Sequence, residues 1–167
     1  MIHLSEETIL RFKQFTTWTD TLHDVQDSVW RRPVSEGKAS VGEIVAHLQQ
    51  WDDYIITNVI PAVHNGEGMV FPDFDLFNEA AYTYARSGVS QLQLLEEFKH
   101  TRLQLVDCLI ANYDTAVKPV TANGVSHCPH TGTPYSLLFI IHEFNDHDQH
   151  HRNQIMNVLQ QKSGSSA

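Results

Sequence analysis

Residues 40–59 read SVGEIVAHLQQWDDYIITNV, and this stretch decides the fold class of the chain. Ser40 and Glu43 match the S-x-x-E capping box, in which each side chain bonds the backbone N–H of the other residue at a helix N-terminus. The pattern predicts an amphipathic helix that begins at Ser40 and ends at Pro61. Its apolar residues recur at intervals of three and four, and they are Ile44, Val45, Leu48, Trp51, Ile55 and Val59.

Apolar residues recur at the same intervals of three and four in three other segments of the chain. Each follows a Ser or Thr that fits an N-cap, and the first is stopped by Pro33. No pair of segments shows the alternation expected of β-strands. The three predicted helices are Glu6–Arg32 after Ser5, residues 91–113 after Ser90, and residues 134–161 after Thr133.

A long connection, residues 61–89, separates the second and third main helices and contains a predicted short helix, Phe74–Ala85. A connection of this length allows the two helices that it joins to run parallel instead of forming a hairpin. We therefore predict an all-α fold, a four-helix bundle with a long crossover. Residues 1–162 are expected to form a single domain, followed by a flexible tail, residues 163–167.

Composition excludes several classes of protein. The chain has 167 residues, of which 41% are hydrophobic and 19% charged, so it is long and apolar enough to fold without disulfides. Its formal net charge of -9 disfavours nucleic acid as a partner. No apolar run reaches the ~20 residues that span a membrane, and the acidic N-terminus does not resemble a signal peptide. These features predict a cytoplasmic protein that has no membrane partner.

Histidine is unusually common, with 11 residues, and four of them lie in one stretch of ten residues, 142–151, on the predicted fourth helix. On a helical wheel His151 lies ~30° and His147 ~70° from the centre of the apolar stripe, whereas His142 and His150 face outward. His147 and His151 are four residues apart, so both imidazoles can bind one metal ion. The alternative is a pair of core histidines that hydrogen-bond to backbone or carboxylates.

A third ligand is expected from another helix, and His47 is the candidate, with an ordinary boundary histidine as the alternative. His47 lies ~10 Å from the start of its helix and His151 ~15 Å from the end of the fourth helix. If these helices are antiparallel, the histidines meet at a similar height. Three imidazoles leave positions open for water or substrate, as in catalytic metal sites. Imidazole suits zinc, nickel, iron or copper, so the metal stays undetermined.

Other residues nearby are candidates for supporting roles. Asp148 faces inward and could orient a ligand histidine or accept a proton; an ion pair with Arg152 or with a neighbouring helix is the alternative. Trp51 and Tyr54, beside His47, are packing groups that could also line a substrate pocket. His147-Asp148-Gln149-His150-His151 also fits a loose H-[DE]-x-x-H, which leaves a metallopeptidase as a minor alternative.

The chain resembles the DinB/YfiT-like superfamily along nearly its whole length. The resemblance rests on Trp30 and Pro33, on residues 40–52, on Phe74, Phe77 and Asn78, and on residues 147–154. It implies a four-helix bundle, often dimeric, in which His47, His147 and His151 bind a metal that is usually zinc or nickel. Relatives include thiol S-transferases that use low-molecular-weight thiols such as bacillithiol, and a mycothiol-dependent isomerase.

The resulting functional hypothesis is a metal-dependent enzyme. A thiol S-transferase that conjugates a low-molecular-weight thiol to an electrophilic small molecule is the first candidate that the resemblance implies, and a bound metal would keep the thiol ionised near neutral pH. A metal-dependent hydrolase is the nearest alternative. A non-catalytic bundle that binds a metal or a small molecule is a third. The resemblance also implies a homodimer.

Overall fold

A computed structural model describes the backbone of residues 2–164 and the side chains of residues 2–161. Within these residues the structure is helical, with isolated β-bridges but no strand, which confirms the predicted all-α class. None of the described helices combines the length and apolar composition needed to cross a membrane. The α-helices are α1 Glu6–Thr19, α2 Asp27–Trp30, α3 Val41–Tyr54, α4 Ile60–His64, α5 Phe74–Ala85, α6 Gln91–Ala111, α7 Tyr113–Ala116 and α8 Leu137–Gly164.

The direction of the four long helices follows from two clusters of buried apolar residues, one toward each end of the bundle. The chain passes from the first cluster to the second along α3 and α6, and from the second to the first along α1 and α8. Hence α3 and α6 are parallel to each other and antiparallel to α1 and α8, as the long crossover predicts. The first cluster includes Phe15, Leu48, Leu95 and Ile155. The second includes Ile9, Ile55, Leu109 and Leu138.

The first predicted helix is broken, so the expectation of one helix from Glu6 to Arg32 was wrong. Helix α1 ends at Thr19, a 3₁₀ turn spans Asp20–Asp24, and Val25 is extended before α2. The hydroxyls of Thr16, Thr19 and Thr21 donate to the carbonyls three residues earlier, at 2.6–3.0 Å. Such side-chain bonds compete with the regular helical ladder and favour its end.

Pro61 does not end the second helix as predicted. The chain continues from α3 through a π-helical turn, Ile55–Val59, into α4, where Pro61 occupies the first turn. Proline has no N–H, and its ring clashes with the carbonyl four residues earlier in an α-helix. The wider π turn accommodates both constraints, so the helical path continues to His64.

The crossover contains the predicted short helix with its predicted bounds, and Asp73 caps it by accepting from the Leu76 N–H at 3.1 Å. Helix α6 begins after Ser90, whose hydroxyl accepts from the Gln93 N–H at 3.1 Å. These termini agree with the sequence because each is determined by a local side-chain cap.

The fourth main helix starts later than predicted. Thr133 is not its N-cap; Ser136 is, because its hydroxyl accepts from the Phe139 N–H at 3.0 Å. Residues 133–135 are extended, since Tyr135 and Thr133 bond to Val120 and Cys128 in the preceding loop. Helix α8 continues to Gly164, and the rest of the predicted tail, residues 165–167, lies outside the described residues.

Candidate metal centre

Helices α3 and α8 bring three histidines from distant parts of the sequence together. His47 projects from α3, and His147 and His151 from successive turns of α8. One ring nitrogen from each residue lies within 4.8 Å of the corresponding nitrogens of the other two. The ring centroids are 4.4–5.4 Å apart. A separation of up to 4.8 Å is slightly wider than two zinc–imidazole bonds of ~2.0–2.1 Å can span, so small side-chain adjustments would bring all three nitrogens onto a single ion.

Hydrogen bonds on the far side of two rings determine which nitrogen faces the centre. His47 Nδ1 lies 2.6 Å from the Ile44 carbonyl oxygen, and His151 Nδ1 lies 2.8 Å from Gln154 Oε1. Both oxygens can only accept, so each Nδ1 carries the proton and each Nε2 presents a lone pair. His151 Nε2 also lies 3.0 Å from His147 Nε2. With His147 in the same Nδ1-protonated tautomer, which a bound metal ion would favour, all three lone pairs would face the space between the rings.

All three imidazoles are neutral at physiological pH. Burial, together with the nearby His151 and His147, lowers the pKa of His47 from 6.5 to about 3. Burial and the other histidines lower the pKa of His147 to about 4, and burial lowers that of His151 to about 4. Neutral imidazole is the form that binds metals, so a metal ion meets little competition from protons.

The cluster is closed on one side and open on the other. His47 is buried, with 2% of its surface exposed, His151 is half-buried, and His147 is exposed. His147 also lines a cavity of about 550 Å³ that approaches the centre from outside the bundle. A ligand from this cavity could therefore reach the point between the rings. Metal binding by these residues stays a prediction.

Directly beneath the histidines lies a buried ionic triad, Asp52–Arg102–Asp148, that sequence reasoning missed. Arg102 is 0% exposed and makes five hydrogen bonds, one for each of its N–H groups. Two go to Asp52 and two to Asp148, at 2.6–3.3 Å, and the fifth goes to the Phe12 carbonyl oxygen at 3.1 Å. The triad thereby joins α1, α3, α6 and α8 beside the three histidines.

The triad argues against Asp148 as a general base. Its two carboxylate oxygens contact Arg102, and only 3% of its surface is exposed, which leaves little of the carboxylate accessible to a substrate. Burial raises the pKa of Asp148, and burial raises that of Asp52 to about 6, although the guanidinium opposes both changes. The geometry fits the alternative of an ion pair with a neighbouring helix: the partner of Asp148 is Arg102 on α6.

Of the two aromatic residues predicted at a substrate pocket, only Trp51 lines the cavity. Tyr54 lies behind Trp51, with the ring centroids 5.9 Å apart, and donates its hydroxyl to the Val70 carbonyl oxygen at 2.5 Å. Tyr54 therefore supports the cavity wall without reaching the cavity. A substrate-binding role for Trp51 or Tyr54 stays a prediction.

Part of the cavity lining comes from outside α3 and α8. Phe74 and Asn78 lie on α5, and Asn123 lies in the loop before α8. The sequence did contain an indication of the role of Arg102. This residue interrupts the apolar stripe of α6 between Phe98 and Leu105, and a charged side chain on a buried face needs a partner inside the protein.

The sequence profile of the DinB superfamily matches residues 13–155. Among solved structures, the chain is similar to YfiT from Bacillus subtilis, described as a probable metal-dependent hydrolase with an unusual four-helix bundle topology. The match has a TM-score of 0.69 at 14% identity and covers 95% of this chain and 87% of YfiT. At this identity the likeness shows the fold. A comparison with curated proteins gives no match.

Proposed function

This chain belongs to the DinB superfamily, and from that premise we propose that it is a metal-dependent enzyme acting on small molecules. The observation that carries the proposal is the cluster of His47, His147 and His151, which is buried on one side and open to a cavity on the other. Structural zinc sites are usually closed by four protein ligands, whereas catalytic sites keep a position open.

The residues present suit a divalent metal. Three neutral imidazoles with converging lone pairs favour zinc or nickel over calcium or magnesium, which prefer oxygen ligands. The proposed cofactor is zinc or nickel, in agreement with the resemblance. Such an ion would lower the pKa of the nucleophile that binds it, whether that nucleophile is water or a thiol.

The protein's own groups would hold and orient this centre. The Ile44 carbonyl and Gln154 fix the ring orientation of His47 and His151. The buried triad fixes the position of α3 relative to α8, and hence of His47 relative to His147. The cavity beside His147 would place a substrate next to the nucleophile and away from bulk water.

Two reactions fit this arrangement, and they differ in the nucleophile. In the first, a low-molecular-weight thiol is conjugated to an electrophilic small molecule, and the support is the resemblance to thiol S-transferases. In the second, water hydrolyses the substrate, and the support is the description of YfiT as a probable metal-dependent hydrolase. The predicted homodimer and cytoplasmic location are part of the proposal and can be checked by light scattering and cell fractionation.

Metal analysis of variants tests the centre. We expect His147→Ala and His151→Ala each to lose most of the zinc or nickel that the purified wild type binds, because two imidazoles hold an ion far less tightly than three. His150→Ala is the matched control, since His150 is exposed on the same helix and is absent from the cluster. Circular dichroism should show unchanged helicity. Full metal retention in both variants would contradict the proposed site.

An activity screen then tests catalysis. The wild type would be assayed for ester hydrolysis and for thiol conjugation to model electrophiles, before chelation, after chelation and after zinc or nickel is restored. We expect one activity that disappears with the metal and returns with it. Turnover that persists in the metal-free protein would show that the chemistry does not use this centre.

A further inference from the structure

The cavity beside the histidines has a wall composed largely of aromatic rings. Trp51, Phe71, Phe74 and Phe144 all line it, and it extends from His147 toward the loop before α8. Its volume of about 550 Å³ falls in the range of small-molecule sites, which is ~300–1,000 Å³. The wall therefore has the composition and the size of a site for an organic molecule.

The central ring of this wall is held in a fixed orientation. The Trp51 indole N–H donates to Asn78 Oδ1 at 2.7 Å. Phe74 and Phe144 stand edge-on to Trp51, with ring centroids 5.3 Å and 6.4 Å away. Phe74 is 62% exposed, so its ring borders the opening of the cavity. Edge-to-face contacts favour an aromatic guest beyond the effect of the area that it buries.

The charge on the wall is negative. Glu143 is exposed, lines the cavity one helical turn before His147, and has no ion-pair partner among the described residues. The cationic residue in the lining is Arg102, whose charge is offset by two carboxylates. No lining residue is therefore available to neutralise an anionic guest, and the chain as a whole carries a net charge of -9.

We propose that this cavity binds the substrate of the enzyme and that the substrate is an aromatic molecule without a negative charge on its ring-bearing part. The inference deepens the proposed function, since it names the substrate class of the same centre. Its physical basis is the aromatic wall, which favours a ring, and the unpaired Glu143, which disfavours an anion.

Binding to the metal-free protein tests the proposal independently of catalysis and of metal loading. The probes are 2-naphthylmethanol, its saturated decahydro analogue and 2-naphthoate, which share a bicyclic body but differ in aromaticity or charge. We expect the neutral aromatic alcohol to bind roughly 3- to 10-fold more tightly than either of the other two. The readout is the set of indole N–H signals in an NMR titration, in which Trp51 should shift while Trp18 and Trp30 stay unchanged.

Two variants separate the contributions of shape and charge. Glu143→Gln should reduce the preference for the alcohol over 2-naphthoate to near unity, whereas Glu96→Gln, an exposed carboxylate outside the cavity, should leave it unchanged. Phe74→Ala should weaken binding of the alcohol roughly 3-fold or more without altering the charge preference.

Four results would overturn the proposal. They are that no probe binds, that 2-naphthoate or the saturated alcohol binds as tightly as the aromatic alcohol, that Glu143→Gln changes nothing, or that the Trp51 signal does not move. A protein that binds the probes but retains no metal would contradict the proposed function alone.

Discussion

At the scale of single residues, Arg102 illustrates how a buried charge can be accommodated. Its guanidinium lies 3.6 Å from the centroid of the Phe12 ring and 4.9 Å from that of Phe98, while its N–H groups bond to Asp52, Asp148 and the Phe12 carbonyl. A buried ion pair is not in itself evidence of net stabilisation, because desolvation offsets much of the attraction. Removing one partner, however, leaves an uncompensated buried charge.

We therefore expect Arg102→Met to lower the free energy of unfolding by ~3–5 kcal/mol, as measured by urea denaturation. The matched control is Arg31→Met, which breaks the exposed Arg31–Asp27 pair and should change stability by less than ~1 kcal/mol. Adding Asp52→Asn and Asp148→Asn to Arg102→Met should restore part of the loss. A similar small effect in both arginine variants would show that the triad is not a stabilising requirement.

The lowered pKa of His47 predicts how the stability of the metal-free protein depends on pH. Below its ordinary pKa of 6.5, the unfolded state binds a proton at His47 that the folded state, with a pKa of about 3, does not bind. The contribution of His47 to the free energy of unfolding is therefore fully present above pH 6.5. It falls as the pH drops toward 3, by ~1.4 kcal/mol per pH unit.

The comparison of wild type with His47→Gln isolates this contribution. Between pH 7.5 and pH 5.5 the metal-free wild type should lose ~1.4 kcal/mol relative to the variant in urea unfolding experiments. The raised pKa values of Asp52 and Asp148 act in the opposite direction, but they do so in both proteins and cancel in the difference. An equal pH dependence of the two proteins would mean that His47 titrates normally.

At the scale of elements, the contact between α2 and α3 depends on a glycine inside a helix. A Cβ atom built on Gly42 would lie 2.5 Å from Trp30 Nε1, closer than any real contact permits. Trp30 is 4% exposed and belongs to the first core cluster, so its ring has little room to move. Close packing therefore outweighs the preference of a helix for alanine.

Gly42→Ala should accordingly destabilise the protein by ~1–3 kcal/mol, although the same change in a solvent-exposed helix would stabilise it by up to ~1 kcal/mol. Thermal unfolding followed by circular dichroism measures the effect. In a Trp30→Phe background, which removes Nε1, the same substitution should be less costly. An equal penalty in both backgrounds would show that the indole is not the obstacle.

At the scale of the whole molecule, we expect the fold to be independent of a bound metal, because apolar packing joins the helices. The first core cluster contains residues from all four long helices, and the second contains residues from α1, α6, α8 and the π turn that continues α3. We expect the chelated protein to keep its helical circular dichroism spectrum and to unfold cooperatively. Restoring zinc should raise the midpoint of thermal unfolding in the wild type but not in His147→Ala, because only the folded state presents the three ligands together. Unfolding on chelation would contradict this view.

The sequence by itself determined the helical segments with local caps, the all-α class and the histidines most suited to a metal, because capping boxes and helical periodicity are properties of neighbouring residues. Ser40, Ser90 and the crossover helix Phe74–Ala85 agree with the structure for that reason. The start of α8 was misplaced because hydrogen bonds to the preceding loop hold residues 133–135 extended.

Only the tertiary structure decided which side of the centre is open and which groups surround it. The partners of Arg102 lie 46 to 90 residues away in sequence, and the cavity wall combines α3, α5, α8 and the preceding loop. Helical periodicity specifies the face on which a side chain lies, but not which face of another helix it meets. That pairing depends on the packing of the complete bundle, and it assigns Asp148 to an ion pair and Glu143 to the cavity.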